Sequence, residues 1–457
     1  MPIRDPELSV NRVSFVEILG HTVANITPSA MATVTLSLVV AEGGLLTWAV
    51  YLVVGFLMLL VAAQVATLAQ EVPAAGSLFV SLSRALHPVA GVLSGWCMTG
   101  GYLGALLAAP IIGGLFVAKA LPLVGMAVPW PFVAVVFSVV SWALTVRDVE
   151  LATRYSLLIE AVSLAIIMLI GVVTLVHVGV FDRMQWHAPF EATPFFHAMT
   201  LSILAYGGFE TAANFGREGR SPTRSVPAAI LAAVLFSMAF YVFMAYAEMA
   251  GFANHPSMLA GTEAPLSALA VGEGLPVFAF LSDLAMAIAA LSATIATLNS
   301  LSRLWYSMGR HQVLPAVFGG VGRRQTPSYA LHVLGALTTV FALVAGVLGW
   351  SPLAIVNLFG VFTALGFIFI YVFAMVAVPV MRRRRGWPIS WTATLALVTV
   401  VPLLLYVFLQ NFQGTSGITL VAAYGFVAYL LMGTYVYFLW QRGPRRGGDF
   451  ATARDDD

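Results

Sequence analysis

The chain has 457 residues, of which 60% are hydrophobic and only 9% are charged, and its mean hydropathy is +0.92. A soluble domain carries about 25% charged residues, so this composition excludes an ordinary water-soluble protein. The net charge of +2 gives no reason to expect a nucleic-acid partner.

Apolar segments recur along the chain, and each is long enough to cross a bilayer core of about 30 Å as a helix. The predicted spans are residues 15–40, 44–70, 89–118, 128–146, 155–177, 194–216, 226–250, 275–301, 329–348, 353–380, 389–409 and 418–440. We therefore predict an all-α polytopic membrane protein of twelve transmembrane helices. Its single cysteine, Cys97 in the third span, excludes an intrachain disulfide and is expected to be a packing residue.

Lys and Arg are distributed unequally over the connecting loops. If the N-terminus is cytoplasmic, Lys119 and Arg183 lie on the outer side and the other 20 of the 22 basic residues lie on the inner side. The positive-inside rule then places both termini in the cytoplasm. We expect a multi-pass protein of the cell inner membrane, surrounded by lipid, and the Arg- and Ala-rich composition favours a bacterial host.

The first span contains a helix-breaking stretch, "GHTVANITPSAMAT". Pro28 has no N–H group to donate, and it disfavours helical geometry at Thr27. Asn25 and Ser29 add polar side chains beside it. We predict a helix break at this point.

The fifth span carries a carboxylate, Glu160, at a depth where ionisable groups are rare. Three roles stay open from the sequence: binding a cationic substrate, carrying a proton, or facing Arg154 near the cytoplasmic end.

The sixth span contains a second break, in "ILAYGGFE". Gly207 and Gly208 remove side-chain cover and permit unusual backbone dihedrals. Glu210 follows them directly. A carboxyl group inside the membrane is a candidate for loading and releasing a proton during transport, and the alternative is a structural bond to the freed N–H groups of the first span.

The two breaks lie at similar depth in spans that start two separate groups of five. Residues 1–14 would be a cytoplasmic N-terminus, followed by five helices at 15–177, five at 194–380, helices 11 and 12 at 389–440, and a cytoplasmic tail at 441–457. Because five is odd, the second group is inverted relative to the first. Broken helices at matching places of inverted repeats indicate the midplane binding site of a transporter, although a single break is more often a simple kink.

Other ionisable residues in the spans are given milder roles. We expect Glu17 and Glu248, near span ends, to be solvated, and Asp283 to line the entrance. His21 and His197 are expected to make satisfied polar contacts.

Sodium coupling would need oxygen ligands, which Ser292 and Thr294 of the eighth span could supply. Hydroxyl groups bonded to their own helix are commoner, so we expect a proton as the coupling ion, with sodium ranked below it. No cofactor and no metal site are predicted, and the sequence leaves the oligomeric state open.

Two motifs resemble the amino acid–polyamine–organocation (APC) superfamily of permeases, bacterial amino acid and polyamine transporters among them. "AYGGFETAANFGREGRSPTRSVPAAI" resembles the sixth-helix signature and the loop after it, with Ser221 where the family usually has Asn. "LNSLSRLWYSMGRHQVLPAVF" followed by "TPSYAL" resembles the loop after the eighth helix. The resemblance covers roughly residues 15–440, and it implies the five-plus-five inverted-repeat, leucine-transporter-like fold with two C-terminal helices outside the repeats.

The resemblance also implies a substrate site at the two breaks. Family members usually carry Gly-Ser-Gly in the first break, whose N–H groups hold a substrate carboxylate, whereas this chain has Pro28, Ser29 and Ala30. Ser29 and Ala30 keep their N–H groups, so an α-carboxylate could still dock, but the lost donor at Pro28 favours a substrate without one, such as a diamine. The implied substrate-binding residues are Asn25, Ile26, Thr27, Ser29, Ala30, Met31, Tyr206, Gly207, Gly208 and Phe209.

Two departures from the family bear on coupling and occlusion. A fifth-helix lysine, which replaces sodium in some relatives, aligns with Ser163, and the gating aromatic of the sixth helix aligns with Leu204. Without that lysine, the candidate coupling residues are the two intramembrane carboxylates, Glu210 and Glu160, and Ser163 at the position of the lysine.

The sequence thus favours a secondary active transporter that imports an amino acid or a related amine with protons by alternating access. A putrescine importer, an amino acid exchanger and, from another class, a channel stay as alternatives. Enzyme motifs are absent from the sequence, and no filter-like repeat indicates a pore.

Overall fold

The computed structural model describes residues 14–71, 78–147, 149–215, 221–322, 326–413 and 417–441. Within these ranges the chain is helical and contains no β-strand. The α-helices are α1 (Phe15–Ile26), α2 (Pro28–Ala30), α3 (Leu36–Gly43), α4 (Thr47–Glu71), α5 (Leu78–Ala85), α6 (Pro88–Ala120), α7 (Trp130–Arg147), α8 (Val149–Val178), α9 (Arg183–Trp186), α10 (Ala192–Tyr206), α11 (Pro222–Gly251), α12 (Pro256–Ala260), α13 (Pro265–Gly272), α14 (Pro276–Arg310), α15 (Ser328–Val347), α16 (Pro352–Arg384), α17 (Trp391–Leu395), α18 (Val401–Gln410) and α19 (Ile418–Gln441). Wider π-helical turns join α2 to α3 at Met31–Thr35 and α17 to α18 at Ala396–Val400.

Apolar helices account for most of the described residues. Nine segments among them are long and apolar enough to cross a membrane, and a shorter apolar helix occupies Trp130–Val146. The first of the nine, Phe15–Glu71, includes two predicted spans, and α10 is short because it ends at the second break after 15 residues. The prediction of an all-α, multi-pass membrane protein is confirmed. The number of twelve crossings and the repeat boundaries stay predictions.

Close helix packing builds the bundle around a few long helices. The most extensive contacts join α4 to α11, α6 to α14, α6 to α16, and α7 to α15. Small residues allow the backbones to approach, as is usual between membrane helices. A Cβ atom added to Gly366 of α16 would lie 2.8 Å from the carbonyl oxygen of Cys97 in α6. Cys97 is buried in this packing, as the sequence predicted.

Polar groups hold several helix ends. Ser14 caps α1 together with the partly exposed Glu17, whose carboxylate accepts the Ser14 N–H at 2.8 Å. At the ends of α4 and α16, Arg382 donates two hydrogen bonds to Glu71 Oε1, at 3.1 and 2.8 Å. This ion pair joins helices that belong to different predicted repeats.

Candidate functional site

The first helix breaks where Pro28 predicted it. α1 ends at Ile26, and Thr27 takes the left-handed conformation, with φ 51° and ψ 60°. Thr27 closes the end of α1 by donating its N–H to Val23 O and its hydroxyl to Ala24 O, both at 2.9 Å. The helical path then restarts at Pro28, whose missing N–H costs nothing at this position.

The second break lies at the glycine pair. α10 ends at Tyr206, Gly207 is extended with ψ 145°, and Gly208 has φ +110°. The chain continues as a tighter 3₁₀ helix over Phe209–Phe215. Glycine tolerates this φ without steric strain, whereas other residues do not.

The two breaks touch through their backbones. A Cβ atom added to Gly208 would lie 2.8 Å from Asn25 O and 3.1 Å from Ile26 N, so only glycine fits against the end of α1. Ile26, Thr27, Ser29 and Ala30 are buried here together with residues 206–209, and Asn25 and Met31 are partly exposed. The structure therefore brings both predicted halves of the substrate site together.

Glu160 of α8 binds the first break directly. Its Oε1 accepts the Ser29 N–H at 3.2 Å and the Ser29 hydroxyl at 2.8 Å. Glu160 is only 2% exposed, and its Oε2 is buried with no hydrogen-bond partner among the described residues. The side chain of Arg154, the alternative partner, lies outside the described side chains.

Glu210 makes different contacts from those expected. Its carboxylate accepts the hydroxyls of Tyr102 at 2.6 Å and Tyr371 at 3.3 Å, and the N–H of Gly208 at 3.1 Å. The structural alternative from the sequence, a bond to the freed N–H groups of the first span, is wrong for Glu210, because Glu160 takes the Ser29 N–H. Glu210 instead stabilises the second break from within and ties it to α6 and α16.

Aromatic rings surround the Glu210 carboxylate. Phe209 stacks on Tyr371 with 5.3 Å between ring centroids, Phe367 stacks on Tyr371 at 5.9 Å, and Tyr102 meets Phe367 edge-on at 5.7 Å. Phe209 therefore lies beside the second break, packed against Tyr371.

The ring of Tyr206 lies elsewhere. Its hydroxyl donates to Tyr51 O of α4 at 2.7 Å, and its ring packs edge-on against Tyr241 of α11. The backbone of Tyr206 ends α10 at the break, but its ring serves the packing of α4 and α11.

Two further predicted positions bind other helices. Ser163 donates its hydroxyl to Ala285 O of α14 at 3.1 Å. Asn25 accepts the hydroxyl of Ser300, also in α14, at 3.1 Å and contacts His21 through Nδ2 at 3.0 Å. Ser163 and Asn25 thus both connect the site to α14, and Asn25 also contacts its own helix, α1.

Other polar residues of the predicted spans make contacts of their own. His21 and His197 make polar contacts, the latter with Gln410 Oε1 at 3.2 Å. Thr294 donates to Ala290 O of its own helix at 2.7 Å. No group of three metal-ligating side chains occurs among the described residues.

The exposure expected for Glu248 is wrong. It is completely buried in the last turn of α11, and both of its carboxylate oxygens lack a hydrogen-bond partner among the described residues. A position near a span end is not solvated when neighbouring helices cover it. Asp283 is likewise buried, at 2% exposure.

Sequence reasoning missed Tyr102 and Tyr371, the two hydroxyl partners of Glu210. Both are fully or nearly buried tyrosines in mid-helix. A buried tyrosine hydroxyl needs a partner, so a tyrosine in the middle of an apolar span is the signal that was available.

Comparison with known proteins identifies the family. A sequence model of the amino acid permease family matches residues 18–445. The chain belongs to this family, within the APC superfamily. The relatives are named as permeases or transporters, which points away from an enzyme.

Individual relatives differ in what their names say they carry. An uncharacterized transporter of Mycobacterium tuberculosis is 27% identical over 309 residues, covering 65% of this chain and 67% of the relative. The methylthioribose transporter of Bacillus subtilis is 24% identical over 304 residues, covering 66% and 62%. The low-affinity putrescine importer of Escherichia coli is 22% identical over 284 residues, covering 59% and 61%. The matched part spans about two thirds of each relative's length or somewhat less.

Proposed function

We propose that this permease is a secondary active transporter that imports an amino acid or related amine across the inner membrane, coupled to protons, by alternating access. The contact between the two breaks carries the proposal: the backbone of Gly208 lies against Asn25 and Ile26. Where helices are interrupted inside a membrane bundle, backbone N–H and C=O groups lack the helical hydrogen bonds that an intact helix would give them. Transporters bind substrates with such groups.

The helix contacts support two inverted five-helix repeats within a twelve-span fold. In the predicted numbering, α4 and α11 are spans two and seven, α6 and α14 are three and eight, and α7 and α15 are four and nine. Each of these three contacts therefore joins a helix to its counterpart five spans later. The contact of span three with span ten also has its counterpart, that of span eight with span five. A pseudo-twofold axis would produce this pattern.

Proton coupling is proposed because buried carboxylates lie at both breaks. Glu160 binds the first break and Glu210 the second. Protonation of either would weaken an acceptor that now holds a broken backbone, which is a direct way to link proton binding to movement. Sodium stays the less favoured ion, as the sequence ranked it, and the Thr294 hydroxyl donates to Ala290 O of its own helix.

An amine importer or an exchanger is the second candidate, and a channel is not favoured because the family consists of permeases. The putrescine importer among the relatives makes an amine worth testing beside an amino acid. We propose the same membrane orientation as the sequence indicated, with both termini in the cytoplasm.

The test is uptake and counterflow of labelled alanine and labelled putrescine in proteoliposomes, with an inward proton gradient and no sodium. The critical variant is Gly208→Ala, because its methyl group would meet Asn25 O at 2.8 Å and the backbone would be strained at φ +110°. We expect at least a tenfold loss of transport.

The matched control is Gly179→Ala. Gly179 has nearly the same φ, +105°, but nothing lies within 4 Å of an added Cβ atom. It should retain transport. Conductance that does not saturate with substrate would contradict a carrier, and full transport by Gly208→Ala would contradict a site at the touching breaks.

A further inference from the structure

Glu160 occupies the place where a ligand's negative charge would bind. The first turn of a helical segment presents N–H groups with partial positive charge, and in broken transporter helices these groups attract anions. Here the Ser29 N–H and hydroxyl both donate to one oxygen of Glu160, from the neighbouring α8. The protein thus supplies its own carboxylate at the restart of the first span.

The second oxygen of the Glu160 carboxylate is available to accept a hydrogen bond from a ligand. Glu160 Oε2 is buried and has no hydrogen-bond partner among the described residues, and none of their ion pairs includes Glu160. A buried acceptor without a partner is costly, by about 1–3 kcal/mol and more when it is charged. A cationic donor that enters the site would remove this cost.

We infer that the transported compound is an amine with no carboxylate beside its amino group, and that its ammonium group donates to Glu160 Oε2. This inference rests on the proposed transport function and narrows its substrate class. A substrate carboxylate would compete with Glu160 for the Ser29 donors, and two carboxylates at such a short separation repel each other strongly. A primary ammonium group, in contrast, offers three donors and the complementary charge.

Interrupted helices can also offer carbonyl oxygens to an ammonium group. Where a helix is interrupted, carbonyl oxygens lose their helical partners and can accept from a cation. The contact of Gly208 with Asn25 and Ile26 brings two such chain segments together. The recognised group is therefore the ammonium, and the rest of the amine is left to the neighbouring apolar and aromatic surfaces.

The experiment compares pairs of compounds that differ only in a carboxylate. Binding to the purified full-length protein in lipid nanodiscs is measured by calorimetry for putrescine and ornithine, agmatine and arginine, isoamylamine and leucine, and phenethylamine and phenylalanine. We expect at least one amine to bind ten times or more tightly than its amino acid. In Glu160→Gln that amine should bind at least tenfold more weakly, because the charge of the acceptor is lost.

The matched control is Glu248→Gln, the same change at another fully buried carboxylate, in the last turn of α11. It should keep the preference for the amine. If Glu160→Gln does not fold, Glu160→Asp retains the charge and is expected to bind the amine more weakly with the preference intact.

Three results would overturn the inference: tighter binding of the amino acids, equal loss in the two Gln variants, or no binding of any of the eight compounds. Counterflow in proteoliposomes separates this failure from that of the proposed function. Saturable counterflow of an amino acid alone would leave the transporter standing and reject the amine, whereas no saturable counterflow of either member would reject both.

Discussion

At the residue scale, each of the two breaks is contacted by its own buried carboxylate. Glu160 accepts donors from the first span, and Glu210 accepts a donor from its own break together with two tyrosine hydroxyls. One carboxylate therefore joins α8 to the first span, and the other fixes the shape of the second break. Of these two carboxylates, only Glu160 has an oxygen without a hydrogen-bond partner among the described residues.

Tyr102 should matter more than Tyr371 to the second break. Its hydroxyl is 2.6 Å from Glu210 Oε1, whereas that of Tyr371 is 3.3 Å from Oε2, which also accepts the Gly208 N–H. A hydrogen bond to a charged group contributes about 1.5–3 kcal/mol. We expect Tyr102→Phe to lower the melting temperature and the counterflow rate of the purified protein.

The control for that prediction is Tyr371→Phe, which removes the longer bond and keeps the ring that stacks on Phe209. Its effect on both measurements should be smaller. A larger effect of Tyr371→Phe would show that the hydroxyl of Tyr371, and not that of Tyr102, is the more important donor to the Glu210 carboxylate.

Local chemistry made part of the site predictable. Pro28 and the glycine pair disrupt helices by their own backbone properties, so both breaks could be placed from the sequence. The partners of the carboxylates could not, because Ser29 and Glu160 are 131 positions apart and Tyr102 and Glu210 are 108 apart. Such pairs depend on which helices become neighbours, and hydropathy carries no information on that.

At the element scale, two helices continue several residues beyond their predicted spans. The eighth span was predicted at 275–301, whereas α14 continues to Arg310, and the tenth at 353–380, whereas α16 continues to Arg384. Hydropathy detects the apolar part of a helix, but backbone hydrogen bonds continue through polar residues beyond it. Glu248 shows a different error. It lies near the end of a predicted span, but neighbouring helices bury it.

The packing of α6 against α16 depends on a glycine. An alanine at 366 would bring its methyl group to 2.8 Å from Cys97 O and 3.0 Å from Gly101 N, both backbone atoms that cannot rotate away. Overpacking of this kind costs about 1–3 kcal/mol. We expect Gly366→Ala to lower the melting temperature by several degrees.

The corresponding control is Gly425→Ala in α19, where nothing lies within 4 Å of an added Cβ atom. It should leave the melting temperature unchanged or raise it slightly, since alanine favours the helix. An equal loss in both variants would show that glycine content, and not the close approach of α6 and α16, sets the stability.

At the scale of the whole molecule, composition was enough for the class, a multi-pass membrane protein of apolar helices. A chain with 9% charged residues has no other way to fold than with lipid around its helices. The arrangement of those helices was not predictable from their hydropathy, because nearly all of their faces are apolar. The two inverted repeats that we propose would account for that arrangement.

The left-handed Thr27 has a consequence for how the molecule moves. A β-branched residue with φ 51° is uncommon, and this conformation costs about 1–2 kcal/mol relative to ordinary backbone. The backbone at Thr27 is therefore strained in this conformation. A return of Thr27 to extended backbone would release the strain.

Asparagine tolerates this conformation better than threonine and keeps a polar side chain. Thr27→Asn should therefore make the present conformation more stable, with a higher melting temperature, and slow counterflow several-fold because less free energy drives its departure. Faster counterflow would mean that the hinge resists the change instead of promoting it. Under the alternating access that we propose, the conformation in which the breaks touch would then be the strained one, with its strain at Thr27.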